Sequence, residues 1–279
     1  LDALYYAADS DKSESLTSYF NRTQAFRVIP ATAGYFYALG QFCRPLLSFG
    51  PDYDDASTGI LGSLVAIPEL RNVLSEKGRQ SKPRGAGWER GCLFDVIDSL
   101  GAGTALQTHF DGASILVCDD LGSETADFIM VQPARAGRRK RVVFIHAKAS
   151  SVRRECSASD LHDVCAQAQK NLREVSLFGV GLDRKHEKWD DPWNGLPHTQ
   201  GPVTRRIRIA PRGTSAEQEI TRVVQDPSAD REVWIIVGNL LQRTALSDYL
   251  HERNPRGNAV QAAYLLLSTI SNTAAAGAC

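Results

Sequence analysis

The chain has 279 residues, 43% hydrophobic and 23% charged, and its 32 basic and 32 acidic side chains give a formal net charge of zero. That composition suits one large domain or two smaller ones with real cores. It excludes a largely disordered chain and any nucleic-acid role carried by global charge, leaving local basic patches as the only route to such a role. No apolar run reaches the about 18 residues of a membrane helix and no leader is visible; six scattered cysteines (Cys43, Cys92, Cys118, Cys156, Cys165, Cys279) without a CxxC pair read as reduced thiols of a soluble, cytoplasmic protein.

In chain order, residues 10–24 predict a polar helix, Phe26–Ile29 and Gly34–Phe42 predict strands, and Pro68–Lys77 predicts a helix. The polar, Gly/Pro-rich stretch 76–87 is a linker or exposed loop, and it places a boundary between an N-terminal α+β accessory region, 1–82, and a main domain, 83–279. Leu93, Ile97 and Leu100 then recur at helical spacing before a glycine stop. Strands follow at Ser114–Asp119, Ala126–Val131 and Arg141–Lys148, the last carrying Val142-Val143-Phe144-Ile145, apolar on both faces as in a central strand. A helix over Ala158–Leu177 precedes a long loop, 179–202, holding Trp189, Asp190, Asp191, Trp193 and His198. Strands at Thr204–Ala210 and Glu232–Val237 and helices at Gln242–Leu250 and Asn258–Thr273 complete an α/β chain with a mixed central β-sheet flanked by helices. It opens on Leu1 and stops just after a helical pattern, so a fragment of a longer protein is expected, with partner domains on either side.

The chemistry concentrates between Ile115 and Ser150. Asp127 opens one strand and Lys148 closes the next, so adjacent pairing brings both to one sheet edge, while period-2 alternation aims His146 and Lys148 to a common face. Carboxylates that hold a divalent cation, with a lysine near the developing charge, are what phosphodiester hydrolysis requires. Asp120 is a reserve ligand, whereas Asp119 and Glu124 read as parts of a hairpin turn. Arg138, Arg139 and Lys140 lie on the connection between the two strands, and Arg153 lies just past the second; together they form a surface for phosphates, or a solubilising hairpin tip.

The order helix, strand, strand ending in His146-Ala147-Lys148, helix resembles the PD-(D/E)xK nuclease superfamily, and more narrowly its Mrr-like restriction endonucleases, over roughly residues 90–180. The resemblance implies a restriction-endonuclease-like core and a metal-dependent DNA endonuclease. It places Asp95 of Phe94-Asp95 as an acid on the first helix and Asp127 as the strand acid. His146 and Lys148 take the two ends of the tripeptide, and Gln169 or Gln167 contacts phosphate from the following helix. Asp95, Asp127 and His146 would ligate Mg²⁺ or Mn²⁺. His146 departs from the family, whose members carry an acid or glutamine there, and its nitrogen favours the softer Mn²⁺. DNA, helicase-like partner domains of a bacterial anti-phage defence or restriction complex, and a homodimer that cuts both strands are the implied partners.

Two other readings stand beside this one: a catalytically dead nuclease fold that binds nucleic acid or a partner, favoured by His146, and a protein-interaction domain that uses the Trp-rich loop. Cys156, His162 and Cys165 match no zinc spacing, and Gly101-Ala102-Gly103-Thr104 lacks the Lys-Ser/Thr ending of a phosphate loop.

Overall fold

A computed structural model describes residues 5–9, 12–15, 36–38, 41–43, 47–55, 59–78, 85–122, 124–176, 186–193 and 203–278. The expected strand at Phe26–Ile29, His198 and Cys279 lie outside these residues.

Near the N-terminus, β1 (Tyr5–Asp9) pairs antiparallel with β2 (Lys12–Ser15), where the sequence predicted a helix from residue 10, and β3 (Phe36–Ala38) pairs antiparallel with β4 (Gln41–Cys43).

The architecture that matters for function is a five-stranded mixed sheet flanked by helices. Its strands are β5 (Ile115–Cys118), β6 (Phe128–Gln132), β7 (Arg141–Ala149), β8 (Ile207–Ile209) and β9 (Asp230–Gly238), in the order β8-β5-β6-β7-β9. β8, β5, β6 and β7 are successively antiparallel, and β9 lies parallel to β7 in unbroken register from Arg141 opposite Asp230 to Ala149 opposite Gly238. The β5 and β6 side chains and those of Val142–Ala147 are buried on both faces, as their continuous apolar runs require.

On one face, Leu116, Phe128, Met130, Val143 and Ile145 pack against α1 (Leu93–Asp98), Phe110 of α2 (Gln107–Phe110), Trp88 and Trp193. On the other, Ile115, Ile129, Val131, Val142 and Phe144 meet α5 (Ala216–Val224) through Ile220, Val223 and Val224. The remaining helices are α3 (Ala158–Lys170), α4 (Leu172–Val175), α6 (Arg243–His251) and α7 (Gly257–Ala275). A third cluster joins α3, α6 and α7 through Leu161, Val164, Leu246, Leu250 and Leu265, and Tyr53 and Ile60 pack into it from upstream. Helix starts are fixed by side-chain caps: Ser157 Oγ accepts the Asp160 N–H, Ser215 Oγ that of Gln218, and Cys92 Sγ that of Asp95.

The expected helix at Pro68–Lys77 is instead a single 3₁₀ segment, Pro68–Asn72, followed by extended chain. Tertiary backbone bonds override the local preference here. Asn239 N–H donates to Leu70 O at 3.1 Å, and the Leu93 and Phe94 N–H groups donate to Ser75 O and Glu76 O, each at 2.9 Å. Gly238 permits this approach, because a Cβ on it would sit 3.0 Å from the Val73 Cβ. The result lays residues 70–77 across the carboxyl end of β9 and carries Lys77 to the acids described next.

Candidate metal centre

After β5 the chain turns at Asp119–Gly122 and returns through residues 124–127 into β6, with Leu121 and Gly122 both in the left-handed region at φ 73° and 72°. The reversal is closed by the Asp119 and Asp120 N–H groups, which donate to Asp127 O at 2.9 and 3.2 Å. Within it, ligand atoms of Asp120, Glu124 and Asp127 all lie within 4.8 Å of one another, with both aspartates buried.

Asp127 N–H donates to Ile145 O at 3.0 Å, and Asp127 Oδ2 accepts the Ala147 N–H at 2.7 Å. Its carboxylate therefore takes the place of a strand carbonyl just before β6 and sits at the end of the strands instead of projecting from a face. Burial, with the Asp120 charge second, raises its pKa well above the usual carboxylate range.

Asp120 receives Lys77 Nζ at 2.9 Å on Oδ1 and Trp193 Nε1 at 2.7 Å on Oδ2. Burial works against the charge on Lys77, but Asp120 and then Glu76, 3.2 Å away, outweigh it and raise its pKa, so the ammonium is retained. The same ammonium lies 5.1 Å from the centroid of the Phe94 ring. Glu124 Oε2 accepts the Leu121 N–H at 2.9 Å, while its Oε1 lies 3.8 Å from Lys170 Nζ.

Asp119 points elsewhere and is structural: Trp189 Nε1 and the Thr125 N–H donate to it at 2.8 and 2.7 Å, with Lys188 at 3.1 Å. Burial nevertheless raises its pKa, against the pull of Lys188.

The residues expected from sequence separate. Asp127 is in the acid group, joined by the reserve Asp120 and by Glu124, read before as a turn residue. Asp95 is not in this group; on α1, its Oδ2 accepts the Gly91 N–H at 2.9 Å. His146 is also outside it, 2% exposed, with Nε2 lacking a partner among the described residues. Burial, with the Lys170 charge second, lowers the His146 pKa to about 3, so the ring is neutral. Lys148 lies 3.7 Å from Asp163 of α3. Gln169 is buried between α3 and α7, donating to Thr269 Oγ1 at 3.0 Å and accepting from Asn272 Nδ2 at 2.8 Å, which leaves it facing a helix and not a ligand.

On the β6–β7 connection, Arg138 donates to Asp111 O at 3.1 Å, Arg139 lies 3.8 Å from Asp230, and Lys140 lies 3.9 Å from Glu219. Arg153 is exposed and lines a surface cleft. Sequence reasoning missed Lys77, and it noted Trp189 and Trp193 in the long loop without connecting them to the acids. The available signal was the pair of tryptophans beside Asp190 and Asp191, whose indole N–H groups need buried acceptors.

Three carboxylates offer hard oxygen donors that could hold a metal ion, and a cation would relieve the mutual repulsion of two buried aspartates. The Thr125 hydroxyl, between Glu124 and Asp127 in sequence, is buried without a partner among the described residues. Cys92, Cys118, Cys156 and Cys165 are buried free thiols, and among the described residues no helix is long and apolar enough to cross a membrane. Comparison of the chain with protein-family models, with curated proteins and with solved structures finds no match in any of the three.

Proposed function

We propose that this chain is a divalent-cation-dependent endonuclease that hydrolyses DNA phosphodiester bonds in the cytoplasm, within a restriction or anti-phage defence complex. The observation that carries the reading is the convergence of Asp120, Glu124 and Asp127 between β5 and β6 with a lysine ammonium beside them. Asp120, Glu124 and Asp127 would hold Mg²⁺ or Mn²⁺, which would supply Lewis-acid polarisation of a phosphate and activation of a water. The chain's own part is to hold Asp127 in place through the Ala147 N–H and to keep a protonated Lys77 next to the developing charge. Lys77 thus takes the role first expected of Lys148. An all-oxygen donor set removes the reason for preferring Mn²⁺ that His146 supplied. The succession of α1, the antiparallel β5-β6-β7 and α3 supports the resemblance to the PD-(D/E)xK superfamily, on which the DNA substrate and the defence setting rest.

A second reading, a nuclease-like module that binds nucleic acid without cutting it, is favoured by one observation: each acid of the group already has an N–H or ammonium partner, and Lys148 is engaged by Asp163. Calorimetric titration with Mn²⁺ and nicking of supercoiled plasmid decide between them, using Asp127→Asn, which still accepts the Ala147 N–H, and Lys77→Met, which still packs on Phe94. The nuclease reading expects metal-dependent nicking lost in both variants, with Mn²⁺ binding lost only in Asp127→Asn. DNA binding with no nicking by the native chain selects the second reading, and no Mn²⁺ binding refutes the first.

A further inference from the structure

At the carboxyl ends of the parallel pair β7 and β9, two loops run side by side. Ser150 and Arg154 N–H groups donate to Gly238 O and Asn239 O at 3.1 and 3.0 Å, Ser157 N–H donates to Leu240 O at 2.8 Å, and Gln242 N–H returns to Glu155 O at 2.8 Å. Asn239, in the left-handed region at φ 59°, donates its side chain to Ser150 O at 3.3 Å and its N–H to Leu70 O, drawing in the 3₁₀ segment that bears Arg71. Between these loops and the α6–α7 turn lies an open cleft of about 430 Å³ lined by Arg71, Arg153, Gln242, Tyr249, Arg256 and Asn258. Ligands of open α/β sheets bind in crevices outside the carboxyl ends of the strands.

The lining is cationic and supplied with unused donors. Arg71 and Arg153 are exposed and make no ion pair or hydrogen bond among the described residues. Arg256 stacks 3.6 Å from the centroid of the Tyr249 ring and pairs with Glu252 at 2.9 Å. The acid in the cleft, Glu155, is engaged by the Tyr249 hydroxyl. Gln242 Nε2 is buried with no acceptor among the described residues. Gln242 and Arg256 are also the N-caps of α6 and α7, neither start being closed by a side-chain cap, so the positive ends of two helices border the same space.

We infer that this cleft is a phosphate-binding site, in which Arg71 and Arg153 grip the phosphate. The carrier that fits best is the backbone of the nucleic acid assigned above, and for that identity the inference rests on the proposed function. Asp127 is bonded to Ala147 near the carboxyl end of β7, and the cleft lies beyond the carboxyl ends of β7 and β9, so the acid group and the cleft stand at the same end of the sheet. A nucleic-acid backbone lying across that end would run past both.

The test reads binding in EDTA, so an acid group that fails to hold a cation leaves the result untouched. Fluorescence anisotropy of a labelled duplex and of a labelled single strand is measured against salt, and pyrophosphate is titrated separately by calorimetry. The native chain is compared with Arg71→Ala/Arg153→Ala and with Arg212→Ala, an exposed arginine elsewhere, all three checked for equal thermal midpoints. The site predicts at least tenfold weaker binding in the double variant alone. If nucleic acid is the carrier, the slope of log K against log salt also falls by about two. Pyrophosphate binding lost in the double variant, without nucleic-acid binding by the native chain, supports the cleft with a free phosphate compound as its ligand. Binding of every probe unchanged in the double variant, or absent in the native chain, overturns the inference.

Discussion

Replacing His146 by leucine gives the sharpest test of how this sheet is built. The imidazole is buried on β7 at 2% exposure, its pKa is lowered to about 3, and Nε2 finds no partner among the described residues. In the unfolded chain the same group titrates near 6.5. Between those values protons bind the unfolded chain and not the folded one, so stability is lost as pH falls from 6.5 toward 3 and is fully present above 6.5. The linkage integral gives a loss of about 2 kcal/mol between pH 7 and pH 5, and about 4 kcal/mol by pH 3. Buried carboxylates contribute their own pH dependence, but they are common to both proteins and cancel in the difference. Urea unfolding of native and His146→Leu protein, followed by circular dichroism at half-unit steps from pH 7 to pH 5 in EDTA, should therefore show the variant gaining about 2 kcal/mol relative to the native chain across that range. Parallel stability curves would refute the reasoning, because they would mean that His146 charges freely in the folded protein.

Other outcomes follow from the same contacts. Gln169→Leu deprives Asn272 Nδ2 of its acceptor inside the α3–α7 contact and should cost about 1–3 kcal/mol in chemical denaturation while leaving nucleic-acid affinity unchanged; loss of binding without loss of stability would restore Gln169 to the site. Gly101→Ala places a Cβ 2.8 Å from Gln107 N at φ 69°, whereas Gly103→Ala at φ 77° meets open space, so calorimetry should give the first the larger fall in thermal midpoint, the second costing about 1 kcal/mol. Burial pushes the Cys92, Cys156 and Cys165 thiols up to about 11, so mass spectrometry should find them unalkylated by iodoacetamide at pH 7.5 in the native protein and alkylated in urea.

What the sequence made legible follows the range of the forces involved. β5, β6 and β7 could be read because burial on both faces demands continuous apolar runs such as Val142–Ile145, and that demand is local. Asp127 was legible as an acid at the start of a strand. Its partners were not, because Lys77 and Trp193 reach Asp120 across separations of 43 and 73 residues, and no periodicity encodes such closures. The alternation rule placed His146 and Lys148 on one face, but it said nothing of a carboxylate that bonds within the ladder itself. Pro68–Lys77 failed as a helix for a related reason: its apolar spacing suits one, but its backbone groups are claimed by Asn239, Leu93 and Phe94.

The parallel pairing of β7 with β9 also imposes an order of assembly. The β5-β6-β7 meander is contiguous and can form as soon as Ala149 has been made, yet both flanking strands, β8 and β9, come from beyond Val203. Until then β7 presents an unpaired nine-residue edge with an apolar centre, the kind of template that recruits strands from other chains. Truncations ending between Ser176 and Ile207 should therefore aggregate during expression, whereas the chain through α7 pairs β5 with β8 and β7 with β9. Soluble yield thus depends on the last third of the sequence, far from the acids.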